Sequence, residues 1–278
     1  MTILVTGARG QVGKHVLTGL LEAGATVRAA SRNPQPGEFP DGVDTVRLDL
    51  TNPATLPAAL TGVDKVFLYA QASTAGAFAA AAAEAGVRHV VLLSSASVVF
   101  PDAASNPIGA QHLAVEQALD DAGLGRTFVR PAYFATNALR WQSIRTDRVM
   151  RTAFPGATTS MVHERDIADV AAAALLDDAR IGTAYAVLGA GTLTVRKQVA
   201  AIADALGEPV HLDQIDLDTY RTQLLTQLPA PIVDLVLATR GSVPRPQPDL
   251  ATDAVQAVLG RAPRPFTRWA SDHAADFR

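Results

Sequence analysis

The sequence contains no cysteine, few aromatic residues and no large excess of either charge. Its 278 residues include 5% aromatic residues and 24 Lys and Arg against 27 Asp and Glu, which gives a net charge of −3 at pH 7. The absence of cysteine excludes disulfides, thiolate metal sites and cysteine nucleophiles. The balanced charge, without a basic run, provides no field that would attract nucleic acid. We therefore expect no nucleic-acid partner.

Long hydrophobic runs are missing as well. The alanine-rich stretch 75–85 is too short to span a membrane and carries Glu84. The N-terminus leads directly into an apolar strand candidate and lacks the charged start and the cleavage site of a signal peptide. We expect a soluble cytoplasmic protein with no membrane partner.

Short apolar runs instead alternate with helix-like stretches through much of the chain. The strand candidates are residues 3–5, 25–30, 45–48, 65–69, 89–93, 127–130 and 184–188. The helix candidates that separate them are residues 14–22, 53–60, 75–85, 110–122 and 164–176. Several strand candidates are apolar on both sides, as a parallel sheet covered by helices requires. The alternation predicts a Rossmann-like α/β fold with a doubly wound parallel sheet, which binds its ligand at the carboxyl ends of the strands.

A glycine-rich turn follows the first strand candidate. The sequence there is Thr6-Gly7-Ala8-Arg9-Gly10-Gln11-Val12-Gly13. In a strand–turn–helix unit, such glycines allow a tight turn, a close approach of phosphates and close packing of the helix, and backbone N–H groups face a pyrophosphate. The G-x-x-G-x-x-G spacing differs from the more common G-x-G-x-x-G, and a tight turn without a ligand is the alternative. The context favours a dinucleotide, held by Thr6, Gly7, Arg9, Gly10, Gln11, Val12 and Gly13.

The end of the second strand candidate indicates which dinucleotide is bound. Folds that prefer NAD place an Asp or Glu about 20 residues beyond the glycines, where it binds the ribose hydroxyls. Here Ser31 and Arg32 stand at this place, and no acid occurs before Glu38. The planar guanidinium of Arg32 suits the 2′-phosphate of NADP(H), although a solvated loop cation is the alternative. We expect NADP(H) as the cofactor.

Further cofactor contacts are expected where the other strands end. Asp49 follows the third strand candidate and would meet the adenine edge, unless it only caps the loop. The other expected contacts at strand ends are Leu50, Tyr69, Ala70, Gln71, Ser94, Ser95, Pro131, Ala132 and Tyr133.

The alternating rhythm changes from about Gly191 onward. Helix candidates at 194–206, 218–228, 230–239 and 250–259 are accompanied by an extended piece at 209–215 and a proline-rich connector at 244–248. We expect residues 1–155 to form an NADP-binding core, which a later strand at about 183–189 joins. Residues 156–278 would form a smaller, mostly helical lobe that binds the substrate.

Several of these segments resemble the short-chain dehydrogenase superfamily. In that superfamily a serine placed like those of Ser94-Ser95-Ala96 lies near the substrate, and a proline placed like Pro131 borders the nicotinamide. The series 109–116, 127–137 and 162–170, together with 259–266 and Trp269, is similar to the NmrA-like atypical branch. Within that branch the chain is most similar to the type 2 NAD(P)H:quinone oxidoreductases, and the likeness spans nearly the whole chain.

One departure from the wider superfamily bears on the mechanism. Active short-chain dehydrogenases protonate a carbonyl with a Tyr four residues before a Lys, but here His112 stands at the Lys place and Ile108 at the Tyr place. Isoleucine cannot act as a general acid, which typically contributes about 10²–10⁴ in rate. Quinones, enones and iminium ions need such an acid less, because hydride transfer to them gives a stabilised product. The resemblance therefore implies an NADPH-dependent reductase of a small quinone-like, enone or imine acceptor.

Two alternatives to this reductase stay open. The first is a non-catalytic NADP(H)-binding redox sensor like the regulatory members of the NmrA branch, which the missing Tyr–Lys pair would suit. The second is an isomerase or dehydratase that retains its cofactor. Oligomeric state is also open, although exposed helices of doubly wound sheets often pair into homodimers.

Three residues are candidates for catalysis. His112 could bind the nicotinamide ribose or donate a proton, or it could be a helix-surface residue paired with Glu116. Tyr133 follows Pro131 and is an alternative acid, unless it only packs at a helix start. Ser95 could hydrogen-bond a substrate oxygen or merely satisfy a turn.

The residues that follow Tyr133 are candidates for binding the substrate. Phe134, Asn137 and Trp141 lie at one-turn spacings on the next helix-like stretch, where they would line a substrate cavity or pack in the core. The pairs His163-Glu164 and Asp272-His273 lack metal-ligand spacing, so we expect no metal site.

Overall fold

The computed structural model describes residues 1–241 and 254–278, and the chain within it divides into two compact units. Unit 1 contains Met1–Pro131, Glu164–Val187 and, after the gap, residues 254–261. Unit 2 contains Ala132–His163, residues 188–241 and Ala262–Arg278. The expected boundary near residue 155 therefore differs from the structure, in which the chain first leaves unit 1 after Pro131. The proline-rich connector 244–248 and the start of the helix expected at 250–259 lie outside the described residues.

Unit 1 is built around a seven-stranded sheet in the order β10-β6-β5-β4-β1-β2-β3. The strands, numbered in chain order, are β1 Thr2–Val5, β2 Thr26–Ser31, β3 Asp44–Arg47, β4 Lys65–Tyr69, β5 His89–Leu93, β6 Arg126–Pro131 and β10 Ala184–Val187. Every pair in this sheet is parallel. The doubly wound Rossmann-like fold expected from the sequence is confirmed. The strand order reverses between β1 and β4, and a ligand binds at such a switch point.

The helices of unit 1 form two packed groups. They are α1 Gly13–Glu22, α2 Leu56–Leu60, α3 Ala75–Glu84, α4 Pro107–Asp121, α6 Glu164–Leu176 and α10 Ala254–Leu259. Helix α6 packs against α1, α10 and strands β4 to β6, whereas α3 packs against α2 and α4. Fully buried side chains such as Leu4, Val66, Val90 and Leu92 form the core. Each contributes about 1.5–3 kcal/mol through removal of its apolar surface from water.

Helix α4 begins earlier than the sequence predicted. Its first residue is Pro107, whereas apolar periodicity indicated a start near residue 110. The side chain of Asn106 accepts hydrogen bonds from the backbone N–H groups of Ile108 and Gly109. Asparagine before a proline is a strong helix start, because proline lacks only an N–H that would be unpaired there.

Unit 2 is mostly helical, as expected from the sequence, but it contains more strands than the sequence predicted. Its strands are β7 Tyr133–Phe134, β8 Val149–Thr152, β9 Thr158–Val162, β11 Thr192–Thr194 and β12 His211–Gln214. They form two small sheets, β11-β9-β7 and β12-β8. Its helices are α5 Gln142–Asp147, α7 Val195–Leu206, α8 Leu217–Leu225, α9 Ala230–Gly241 and α11 Phe266–Asp272. Most of these strands have four or fewer residues, too short for a local period to reveal them.

The core of unit 2 is centred on Trp269, which has no exposed surface. Its ring stacks on that of Phe266 at a centroid distance of 5.1 Å and on that of His273 at 4.6 Å. Aromatic pairs of this kind add about 0.5–1.5 kcal/mol beyond the area they bury. Helix α11, which contains Phe266 and Trp269 and is followed directly by His273, was not expected from the sequence. Among residues 1–241 and 254–278, no helix combines the length and the apolar character that a membrane crossing needs.

Candidate functional site

The turn between β1 and α1 requires glycine at the positions that the sequence singled out. Gly7 has a φ of +59°, a left-handed conformation that favours glycine. A Cβ on Gly13 would lie 2.1 Å from the carbonyl oxygen of Gly7, and one on Gly10 would lie 3.0 Å from the same oxygen. The N–H of Gly10 donates to that oxygen at 2.7 Å. The turn is a cradle with no room for side chains, which is the form a diphosphate needs.

Thr6 ties this turn to the neighbouring strand. Its hydroxyl donates to the carbonyl oxygen of Phe67 at 2.9 Å and accepts from the N–H of Tyr69 at 3.1 Å. The ring of Tyr69 covers Gly7, and burial raises the pKa of its hydroxyl. The side chain of Thr6 is therefore used within the sheet. The backbone N–H of Thr6 also donates to the carbonyl oxygen of Phe67, at 3.0 Å, so the contact of Thr6 with the cofactor stays a prediction.

At the end of β2, a carboxylate that the sequence reading left unassigned is held close to the predicted 2′-phosphate residues. Glu38 accepts from the Ser31 hydroxyl at 3.1 Å and from Arg9 Nε at 2.9 Å. It also accepts from the backbone N–H of Gln35 at 2.8 Å, and its side chain is only 7% exposed. Ser31, Arg9 and this N–H thus form an anion-binding cluster, which Glu38 fills. The one sequence signal for it is that Glu38 is the first acid after β2.

Arg32 is exposed, as Arg9 is, but unlike Arg9 it is not engaged by Glu38. In the part of the chain that the structure describes, its guanidinium makes no hydrogen bond and no ion pair. Asp49 lies near it but is engaged by Thr51, whose hydroxyl and N–H donate at 2.7 and 2.9 Å. These hydrogen bonds hold the pKa of Asp49 below its ordinary value, with a smaller contribution from Arg32. The Asp49 carboxylate therefore caps the loop through Thr51, and its contact with the adenine stays a prediction.

We expect Glu38→Gln to raise the affinity for NADPH relative to NADH by about tenfold, which corresponds to about 1.4 kcal/mol. The reason is that the Glu38 carboxylate competes with a 2′-phosphate for Ser31 and Arg9 and repels its charge. Calorimetric titration with both nucleotides measures this ratio. Glu84→Gln, on the exposed surface of α3, is the matched control. An unchanged NADPH to NADH ratio in Glu38→Gln would contradict the assignment.

Three side chains beyond β5 form a buried network. Glu116 accepts from the Ser94 hydroxyl at 2.5 Å and from Arg130 Nε and Nη2 at 2.9 and 2.6 Å. The bidentate ion pair with Arg130 compensates the burial of this carboxylate. Ser94 was expected to face the dinucleotide, but its hydroxyl is committed to Glu116. Ser94 directly follows β5, but its backbone N–H also donates within the sheet, to the carbonyl oxygen of Val129 at 2.7 Å, so its cofactor contact stays a prediction.

His112 on α4 is in an unusual environment. Its Nδ1 is shielded from solvent and has no hydrogen-bond partner among residues 1–241 and 254–278. The proposed pairing with Glu116 is not formed, because the two oxygens of Glu116 accept from Ser94 and Arg130. Burial lowers the pKa of His112 below its ordinary value of 6.5, whereas the Glu116 charge acts in the opposite direction. A neutral imidazole with an unused polar atom suits a ribose hydroxyl better than proton donation as an imidazolium.

Ser95 caps the short 3₁₀ turn that follows β5. Its oxygen accepts from the N–H of Ser97 at 3.2 Å and from the Ser97 hydroxyl at 2.8 Å. These contacts fit the turn role, but they leave the hydrogen of the Ser95 hydroxyl available. The Ser95 hydroxyl can therefore still donate one hydrogen bond to an oxygen of a bound molecule.

The candidate acceptor residues all lie in unit 2. Tyr133 belongs to the short strand β7 and not to a helix start, and its hydroxyl lies 3.0 Å from Arg240 Nη2. Phe134 ends β7, and Asn137 lies in a 3₁₀ helix over Ala135–Arg140. Trp141 follows this 3₁₀ helix, in which the repeat is three residues, so the expected α-helical spacing of the three candidates is wrong. Tyr133 and Trp141 pack against the core of unit 2.

No group of three or more potential metal ligands occurs among residues 1–241 and 254–278. His163 Nε2 instead lies 3.3 Å from a carboxylate oxygen of Asp272.

Comparison with known proteins identifies the family. Residues 7–178 match a family model described as NAD(P)H-binding. The chain belongs to the NAD(P)H-binding family. The crowded glycine turn and the unpaired Nδ1 of His112 both fit such a nucleotide.

Two relatives that match this NAD(P)H-binding chain over nearly its full length are named as reductases. A (4-alkanoyl-5-oxo-2,5-dihydrofuran-3-yl)methyl phosphate reductase from Streptomyces griseus is 39% identical over 280 residues, with 99% of each chain covered. An NAD(P)H azoreductase from Xenophilus azovorans is 33% identical over 284 residues, again with 99% of each chain covered. An NADPH-dependent quinone oxidoreductase from Escherichia coli, solved with NADPH, has a TM-score of 0.80 at 21% identity and covers 98% of this chain and 99% of its own. The expected class, an NAD(P)H-dependent oxidoreductase, is confirmed.

Proposed function

We propose that this chain passes hydride from NADPH to a conjugated acceptor, an enone, quinone or imine, without an acid of the Tyr–Lys type. The proposal rests on the two residues of α4 that stand where short-chain dehydrogenases have the Tyr and the Lys. Ile108 has no proton to give, and burial keeps His112 largely neutral at pH 7 by lowering its pKa. An isolated ketone needs a proton at its oxygen as hydride arrives, whereas a conjugated acceptor spreads the new charge over several atoms. The site therefore suits the second kind of substrate.

The residues of unit 1 supply positioning in this proposal. NADPH, when bound, supplies the hydride. The glycine turn holds the diphosphate, Arg32 pairs with the 2′-phosphate, and neutral His112 hydrogen-bonds a ribose hydroxyl. The Ser95 hydroxyl donates a hydrogen bond to the acceptor oxygen on which negative charge develops, and water then delivers the one proton that completes the reduction. Orientation of two reactants in this way can account for about 7–11 kcal/mol of a barrier.

The relatives support a conjugated acceptor. The substrate named for the Streptomyces griseus relative is a dihydrofuranone, in which a ring C=C bond is conjugated with the lactone carbonyl and with the alkanoyl carbonyl. The Xenophilus azovorans relative is named for azo compounds, whose N=N bond also accepts hydride without a carbonyl to protonate. We propose that Tyr133, Phe134, Asn137 and Trp141 of unit 2 contact such an acceptor.

A panel of acceptors tests this function. Purified full-length protein with NADPH is offered a 4-alkanoyl dihydrofuranone, 1,4-naphthoquinone, a cyclic imine, an azo dye and an unconjugated ketone, and NADPH oxidation is followed by absorbance. We expect turnover of one or more conjugated acceptors and none of the unconjugated ketone. Protein that binds NADPH tightly but oxidises it with no member of the panel would favour the NADP(H) sensor. Reduction of the unconjugated ketone alone would contradict the proposal.

A further inference from the structure

Arg240, in the last turn of α9, is a cation with no acidic partner among the residues that the structure describes. Its Nη2 donates to the Tyr133 hydroxyl at 3.0 Å, and its guanidinium carbon lies 5.5 Å from the centroid of the Tyr133 ring. The side chain is partly buried, and its Nη1 is shielded from solvent and has no hydrogen-bond partner in the described part of the chain. Among the described residues, no carboxylate forms an ion pair with Arg240. The group therefore has unused hydrogen-bonding capacity and an uncompensated charge.

This arrangement is costly for a protein that binds nothing there. A guanidinium stays protonated in proteins, so burial cannot be relieved by loss of its proton. A cation over an aromatic ring gains a modest stabilisation, whereas a buried donor without a partner carries a desolvation cost that is larger for a charged group. Arg148, another arginine of unit 2, shows the usual solution. Its Nε pairs with Glu208 at 2.8 Å, and its Nη1 donates to backbone carbonyls.

We propose that Arg240 and Tyr133 bind an anionic group of the acceptor, of the phosphate monoester class. This inference rests on the proposed function, because it concerns the acceptor of that reaction. The guanidinium offers the free Nη1 to the anion. Because the Tyr133 oxygen accepts from Arg240, its own hydrogen can donate to a second oxygen of the same anion.

The proposal gives Tyr133 a binding role in place of the acid role expected from the sequence. A phenol that donates to a bound phosphate cannot also protonate the reacting carbon skeleton. The named substrate of the Streptomyces griseus relative carries a methyl phosphate, which is an anion of the required class. Phosphate is also matched by the planar fork of arginine more closely than by a point charge such as lysine.

Two acceptors that differ only in this anion test the proposal. They are a 4-alkanoyl-5-oxo-2,5-dihydrofuran with a methyl phosphate at ring position 3 and the same compound with a free hydroxymethyl group. Both are assayed with full-length protein and saturating NADPH, so that the phosphate-binding groups of unit 1 are already occupied. The variants are Arg240→Gln and Arg240→Lys. Arg221→Gln is the matched control, since Arg221 is a half-exposed cation of unit 2 that pairs with Asp234 at 2.6 Å.

We expect Arg240→Gln to raise the KM of the phosphorylated acceptor by about 10- to 100-fold. A rise of this size corresponds to the loss of one or two charged hydrogen bonds. The KM of the hydroxymethyl acceptor should stay within about twofold, and Arg221→Gln should behave as the wild type. Arg240→Lys keeps the charge but not the planar fork, so its KM for the phosphorylated acceptor should lie between those of the wild type and Arg240→Gln. Methyl phosphate should inhibit competitively against the phosphorylated acceptor in the wild type and lose this effect in Arg240→Gln.

Equal KM changes for both acceptors, or equal kcat/KM of the two acceptors in the wild type, would overturn the proposal while leaving the reductase function intact. If no acceptor is reduced, including uncharged 1,4-naphthoquinone, the proposed function fails. The anion site is then decided by the thermal shift that methyl phosphate produces with NADPH bound. A shift that is lost in Arg240→Gln and kept in Arg221→Gln supports the site, and no shift rejects it. Should Arg240→Gln fail to fold, Arg240→Lys decides by the same comparison.

Discussion

Gly13→Ala is expected to lower the affinity for NADPH by about 100-fold or more. The added Cβ would lie 2.1 Å from the Gly7 carbonyl oxygen, 2.8 Å from its carbonyl carbon and 3.2 Å from Ala8 Cα. All three are backbone atoms, so the turn itself must move. Backbone N–H groups then no longer converge on the diphosphate, and each hydrogen bond to a charged group is worth about 1.5–3 kcal/mol. Isothermal titration with NADPH measures the loss.

The control for this change is Gly76→Ala in α3. A Cβ there meets no atom within 4 Å, and alanine favours the helix by up to about 1 kcal/mol. We expect Gly76→Ala to bind NADPH as the wild type does and to unfold at the same or a higher temperature. Wild-type affinity in a folded Gly13→Ala variant would show that the turn does not hold the cofactor.

Arg32→Ala is expected to reduce the preference for NADPH over NADH by about 10- to 100-fold. The exposed guanidinium of Arg32 has no hydrogen bond or ion pair among the described residues, so its removal leaves the folded protein intact. Arg196→Ala, an exposed cation of unit 2, is the matched control. The ratio of kcat/KM for the two nucleotides gives the preference. Parallel losses for NADPH and NADH, or no loss for either, would contradict the assignment of Arg32.

Elements whose sequence signal is local were predicted well. Strands β4 and β5 have the predicted bounds, because continuous apolar runs identify strands that are buried on both faces. Helix α6 likewise has the predicted bounds, Glu164–Leu176. Strand β8 was missed, since its partner β12 lies far along the chain and only tertiary pairing defines it. Helix α11 was missed because its apolar residues serve a core that other segments complete.

The candidate site was likewise predicted well only where its signal is local in the sequence. The glycine turn was found because its spacing is continuous in sequence and its strand–turn–helix context is local. The hydrogen bond from Ser94 to Glu116 was not predicted. The rule that ligands bind at the carboxyl ends of parallel strands locates the backbone of Ser94 but not the direction of its side chain. The role of Arg240 was also beyond sequence reasoning, since its contact with Tyr133 spans 107 residues. Glu38 stood close enough to Ser31 to be noticed, but its contact with Arg9 exists only in the folded turn.

The most direct test of the account is the fate of the hydride itself. NADPH labelled with deuterium at C4 of the nicotinamide is incubated with the protein and a 4-alkanoyl dihydrofuranone, and the reduced product is examined by mass spectrometry and NMR. We predict that deuterium from the labelled position appears on a ring carbon of the product, with the second hydrogen taken from water. A reduced product without deuterium from either face of the nicotinamide would contradict hydride transfer and the account built on it.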